Sequence, residues 1–121
     1  MPKVPLSLFA VFSLLGACDN AEAPPGNPEA VAEAQRVWDT KCSTCHGKEG
    51  NGDGEAGKVL QPSPRNFHSS TWQPDDARIR KVIVEGGAAV GLSANMAPNP
   101  ELKDKPEVVE ELLKKVKSFR Q

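Results

Sequence analysis

The sequence predicts an all-α domain. Three stretches repeat apolar residues at helical spacing, no stretch alternates with strand period, and the segments between are rich in glycine and proline. The chain has 121 residues, a formal net charge of −1 and 38% hydrophobic residues, which bounds it to one small domain. Four Phe, two Trp and no Tyr make a core poor in large rings, and small domains of that kind often need a metal or cofactor as a staple. No basic patch suited to nucleic acid stands out. The densest basic run, Lys114, Lys115 and Lys117, falls late in a helical stretch, where cations suit the helix dipole.

Residues 1–17 read as an export signal. Lys3 is the only charge before Asp19, and Val4 to Leu15 is almost continuously apolar. That run is too short for a bilayer span, which takes about 20 residues, and suits the apolar region of a secretory signal. Leu15-Gly16-Ala17-Cys18 resembles a bacterial lipobox, in which the cysteine is acylated and becomes the mature N-terminus. Multiple acyl chains would anchor the protein stably. Cleavage before Cys18 removes Lys3 and no acid, leaving a charge of −2. Asp19 beside the cysteine resembles an inner-membrane retention signal. Residues 18–27 then form a lipidated N-terminus and polar tether, and 28–121 the folded domain. The expected location is periplasmic, or the outer face of the cytoplasmic membrane.

The first helix starts at Asn27 as N-cap with Pro28 in its first turn. Val31, Ala34, Val37 and Trp38 share a face, and the helix runs into Cys42. Gly47 to Gly57 holds five glycines and must be loop. Leu60 to Pro64 continues as extended chain, because each pre-proline residue is pushed off the α region. A second helix spans about 75–85, with Ile79, Val82 and Ile83 inward and Gly86-Gly87 as its stop. Gly91 to Pro100 is a second loop, carrying Met96. The last helix opens near Pro106, with Val109, Leu112, Leu113, Val116 and Phe119 as its stripe.

Cys42-Ser43-Thr44-Cys45-His46 carries the chemistry. Two thiols and an imidazole at this spacing match the covalent attachment signature of a c-type haem. The sulfurs can bond the two vinyl carbons, and the histidine can reach the iron. Three cysteines are an odd number for an exported protein. One lipidated cysteine and two thioethers leave none free. Other readings of this region lack parts. A thioredoxin-type pair has no βαβ context, and a zinc site has no second CxxC. Gly52 to Lys58 matches a P-loop for seven positions and then has Val59. The calcium-like Glu49 to Gly54 stretch lacks its closing carboxylate.

From about residue 30 onward the chain resembles a small bacterial class I cytochrome c. The resemblance lies in the helix into CSTCHG, the glycine loop, LQPSPRNF, IRKVIVEGG, AVGLSANM and the final helix ending KSF. It implies the class I cytochrome c fold, three to four helices with long loops around one covalently bound haem c. It makes Cys42 and Cys45 the thioether attachments, and His46 and Met96 the axial iron ligands. Met96 lies 50 residues after the histidine and is the only thioether left once Met1 departs. In many relatives proline follows the ligand directly, whereas here Ala97 intervenes before Pro98. A carbonyl of Pro62 or Pro64 would orient His46. Arg65 and Trp72 are candidate donors to the haem propionates. His68 is the rival distal ligand, with a solvated side chain as its default.

Two protein ligands leave no open iron position, so the expected function is single-electron transfer without catalysis by the protein itself. The expected partners are an oxidase, reductase or cytochrome complex, with the membrane engaged through the lipid anchor and the chain a monomer. The alternative is a haem subunit of a redox enzyme or a haem-based ligand sensor.

Overall fold

The computed structural model describes residues 26–120. The expected signal segment, Cys18 and most of the 18–27 tether lie outside the described residues. Within them the regular structure is all helical, joined by long loops, with no strand. The helices are α1 (Pro28–Val37), α2 (Ser43–His46), α3 (Asp76–Glu85) and α4 (Pro106–Ser118), with a π-helical turn at Trp38–Cys42 joining α1 to α2. Short 3₁₀ turns occupy Gly57–Val59, Gly87–Val90 and Pro100–Leu102.

Asn27 caps α1, its side chain accepting from the Glu29 N–H at 3.0 Å, and Pro28 opens the helix. The helix does not stop at Cys42. It continues through the π turn to His46, so the motif forms its last turns, at the C-terminal end where it was expected. In the π turn the Ser43 N–H reaches back five residues to the Trp38 carbonyl. One extra residue in the turn rotates everything after it by about 100° relative to an uninterrupted α-helix. Trp38 therefore stays in the core while Cys42, Cys45 and His46 turn towards a cavity.

The core is a single cluster in which α1 and α4 cross, closed by α3. Trp38, Leu102 and Leu112 are its most fully buried large side chains. The last helix buries the expected Val109, Leu112, Leu113 and Val116, with Val108 in addition, and Phe119 packs at the margin. Val31, expected inward, is 44% exposed, and Ala30 is buried instead. The small Ala30 and Ala34 let α4 approach α1 closely, and Val31 lies at the edge of that contact. Asp75 caps α3 through the Arg78 N–H at 3.0 Å, and Gly86 ends it. Arg80 grips Glu110 through two nitrogens, and Lys117 meets Asp76 at 2.8 Å, tying α3 to α4.

The glycine loop serves as the C-cap of α2. The helix-end carbonyls of Ser43, Thr44, Cys45 and His46 accept from the N–H groups of Gly47, Ala56, Gly54 and Gly52, at 2.8–3.1 Å. These four carbonyls would otherwise lack partners at a helix end. The loop must run flush against the helix to reach them, and a Cβ on Gly54 would collide with the Ser43 and Thr44 carbonyls.

Candidate functional site

A cavity of 690 Å³ opens between the end of α2, the proline segment and the loop after Gly91. Its size is within the usual range for cofactor sites, about 300–1,000 Å³. Cys42, Cys45 and His46 form one wall, Leu60, Pro62, Pro64 and Arg65 a second, and Leu92, Met96 and Pro98 a third. The structure thus brings Cys42, Cys45, His46, Met96, Pro62, Pro64 and Arg65 to one cavity, although Met96 and His46 are 50 residues apart.

The His46 imidazole is held on two sides. Its ring lies nearly parallel to Phe67, with centroids 4.9 Å apart. Its Nδ1 is 3.2 Å from the backbone carbonyl of Arg65. A carbonyl can only accept, so Nδ1 carries the proton and Nε2 keeps its lone pair for a metal. The expected acceptor was Pro62 or Pro64. Both prolines line the cavity, but the chain presents the carbonyl one residue beyond Pro64 to the ring. Burial pushes the imidazole below its ordinary pKa, against a smaller opposing effect of the Arg65 carbonyl. The neutral form is therefore the favoured one at pH 7.

Cys42 and Cys45 are half-buried free thiols. Burial raises the Cys42 thiol to about 11, so it is protonated at neutral pH.

The methionine loop is seated on the end of α3. The Gly87 N–H donates to the Met96 carbonyl at 2.8 Å. A Cβ on Gly87 would strike the Ser93 carbonyl, so the loop needs glycine there to lie so close. Three residues past Met96, Asn99 donates its side-chain amide to the Ile83 carbonyl at 2.8 Å and its backbone N–H to Val84 at 2.9 Å. These bonds satisfy carbonyls exposed at the α3 C-terminus and fix the loop's exit.

Trp72 is not at the cavity. It packs on Phe67 with centroids 5.0 Å apart, at the edge of the core. An aromatic side chain gains more from that apolar contact than from a solvent-facing hydrogen bond. His68 also lies away from the cavity wall, its Nε2 2.6 Å from the Glu49 carbonyl, where it clips the glycine loop. Among the described residues no cluster of His, Cys, Asp or Glu could hold a metal ion by itself. A Met–His pair falls outside such a cluster.

Sequence reasoning missed Phe67, Asn99 and the Arg65 carbonyl. Phe67 had a legible cue as one of only four phenylalanines, directly after the proline segment. A backbone carbonyl and a loop asparagine leave no side-chain pattern to read.

A family model described as Cytochrome c matches residues 31–111, more than half of the chain. Among curated proteins none matches.

Proposed function

The chain belongs to the cytochrome c family, and from that premise we propose that it is a membrane-tethered single-electron carrier with its iron held between His46 and Met96. Its fold is the all-α class I cytochrome c fold, and the family's cofactor is covalently attached haem c with its iron. When bound, that group supplies a one-electron couple.

The residues fit it. Two thiols, an imidazole with a free Nε2 and a thioether share one cavity whose other walls are mainly apolar. This convergence is the observation that carries the reading. Cys42 and Cys45 would hold the group through thioethers, and His46 and Met96 would hold its iron. The Arg65 carbonyl keeps the imidazole in the ligating tautomer and raises its basicity. The thioether is soft and a poor proton acceptor, so it favours the reduced state. The apolar part of the lining, with Leu60, Pro64 and Pro98, would limit water around the bound group.

The mouth of the cavity supports docking of a redox protein. Leu92 on the wall is 47% exposed, and Val59, next to Leu60, is 83% exposed. The charged residues on the wall are Lys41, paired with Glu101, and Arg65. An oxidase, a reductase or a cytochrome complex would meet this face mainly through apolar contact.

The tether belongs to the same proposal. Leu15 to Cys18 supports an acylated N-terminus on an exported bacterial protein, at the outer face of the membrane. Pro28 and His46 stand at opposite ends of one continuous helical segment, about 28 Å long at 1.5 Å per residue. An anchor upstream of Pro28 would leave the cavity on the far side of the domain, open to partners.

The test is optical. The purified protein should retain haem absorbance after denaturation and be low-spin in both oxidation states. Reduced protein at neutral pH should not bind carbon monoxide. Binding would point instead to an open iron and to a sensor or an enzyme subunit. Cys18→Ala should release the protein from the membrane fraction, and retention there would remove the lipid anchor from the proposal.

A further inference from the structure

We propose that Gly52 is a positioning residue for the His46 imidazole, its missing side chain giving the Pro64–Arg65 backbone the room to reach Nδ1. The proposal rests on His46 as an iron ligand and adds what sets the strength of its hydrogen bond.

Gly52 lies between the two halves of that bond. Its N–H donates to the carbonyl of His46 at 2.8 Å. Its α-carbon faces the proline segment, and a Cβ there would stand 2.5 Å from the Pro64 carbonyl oxygen and 3.4 Å from the Arg65 carbonyl carbon and oxygen. The first of these atoms is backbone and cannot swing aside as a flexible side chain could. Any larger residue must therefore push the 64–65 backbone away from α2, and the Arg65 carbonyl is the atom that accepts from Nδ1. Gly52 also has φ +80°, so a substitution carries conformational strain as well as the collision.

The two effects can be separated. Asparagine tolerates positive φ far better than alanine does, yet it has the same Cβ. If the empty space matters, Gly52→Ala and Gly52→Asn behave alike. If only the backbone conformation matters, Gly52→Asn behaves like the wild type.

The consequence is electronic. Donation from Nδ1–H to a carbonyl makes the imidazole a more basic ligand, which favours oxidised iron. Weakening the bond should raise the reduction potential and free the Nδ1 proton to exchange.

The experiment compares haem-loaded wild type, Gly52→Ala and Gly52→Asn by potentiometry and by proton NMR of the Nδ1–H. Both variants should show a higher potential and Nδ1–H exchange about tenfold faster, the scale of one weakened hydrogen bond. A Gly52→Asn variant with wild-type potential and exchange would overturn the proposal. If neither single variant retains haem, the Gly52→Ala/Pro64→Ala pair is measured against Pro64→Ala alone, because the loosened segment can then yield to the methyl group. Faster Nδ1–H exchange in the pair supports the proposal, and equal exchange overturns it. A wild type lacking histidine ligation would sink the underlying site reading, an outcome visible in its spectrum before any variant is compared.

Discussion

The Arg65 carbonyl accepts from Nδ1 of His46 at 3.2 Å, while the Arg65 side chain is exposed and makes no ion pair among the described residues. One residue therefore acts on the site in two separable ways. Arg65→Gln removes the cation and leaves the backbone acceptor. Losing a positive charge beside the cavity favours the more positive, oxidised site, so the potential should fall modestly, and less at high salt. The Nδ1–H exchange rate should not change. Potentiometry at two ionic strengths with NMR checks both, and accelerated exchange would show that the side chain holds the backbone in place.

Met96→Ala should open the sixth iron position, so that reduced protein binds carbon monoxide and its potential drops. Gly87→Ala should give a partial version of the same result, because its Cβ collides with the Ser93 carbonyl and meets the Met96 Cβ at 3.3 Å. Gly91→Ala is the control. Gly91 has φ +72° but open space around its Cβ position. It should cost about 1–2 kcal/mol for the strained backbone and keep the methionine bound. Carbon monoxide titration and thermal melts distinguish the three, and equal carbon monoxide binding by Gly87→Ala and Gly91→Ala would contradict the seating of the loop on Gly87.

These variants mark where the sequence was legible. Asn27, Pro28, Asp75 and Gly86 delimit helices through local chemistry, so these helix ends could be read residue by residue, whereas the π turn after Val37 carries no such mark. The CSTCH motif is contiguous, and its pairing with Met96 across one cavity was expected from family resemblance. The Arg65 acceptor was read one or three residues too early. Backbone carbonyls are chemically identical along the chain, and only the path of the segment decides which one meets the ring. Val31 was misplaced because apolar spacing does not say where a partner helix crosses. Trp72 was drawn towards the cofactor by its N–H, whereas its ring area decides its place beside Phe67.

Trp38 joins the core to the motif. It is 2% exposed, its Nε1–H donates to the Lys48 carbonyl at 3.2 Å, and its ring lies 5.2 Å from that of Phe119. Trp38→Phe loses the hydrogen bond and leaves a gap just before the π turn. It should destabilise the holoprotein by about 2 kcal/mol, measured by urea unfolding. Trp38→Ala should cost about 3–5 kcal/mol and reduce haem retention in cells. A neutral Trp38→Phe would mean that the site tolerates repacking at the root of the motif.

The acid limb of stability should depend on Glu110. The Arg80 guanidinium, hydrogen-bonded to it through two nitrogens, holds its carboxyl below the usual carboxylate range. In the unfolded chain Glu110 titrates near the ordinary value, about 4.3. Between that value and its lower folded value, the unfolded state binds more protons. The contribution of the pair is therefore present above about pH 4.3 and lost as pH falls through the folded pKa. Glu110→Gln should flatten the stability–pH curve in that window and leave the curve's shape at pH 6–8 unchanged. Both side chains are about 40% exposed, so the effect should be small and should shrink at 1 M salt. Melting curves from pH 3 to 7 at low and high salt test this. An acid slope identical in wild type and Glu110→Gln would show that the Arg80–Glu110 pair adds nothing to the link between α3 and α4, leaving it to apolar packing and the Lys117–Asp76 pair.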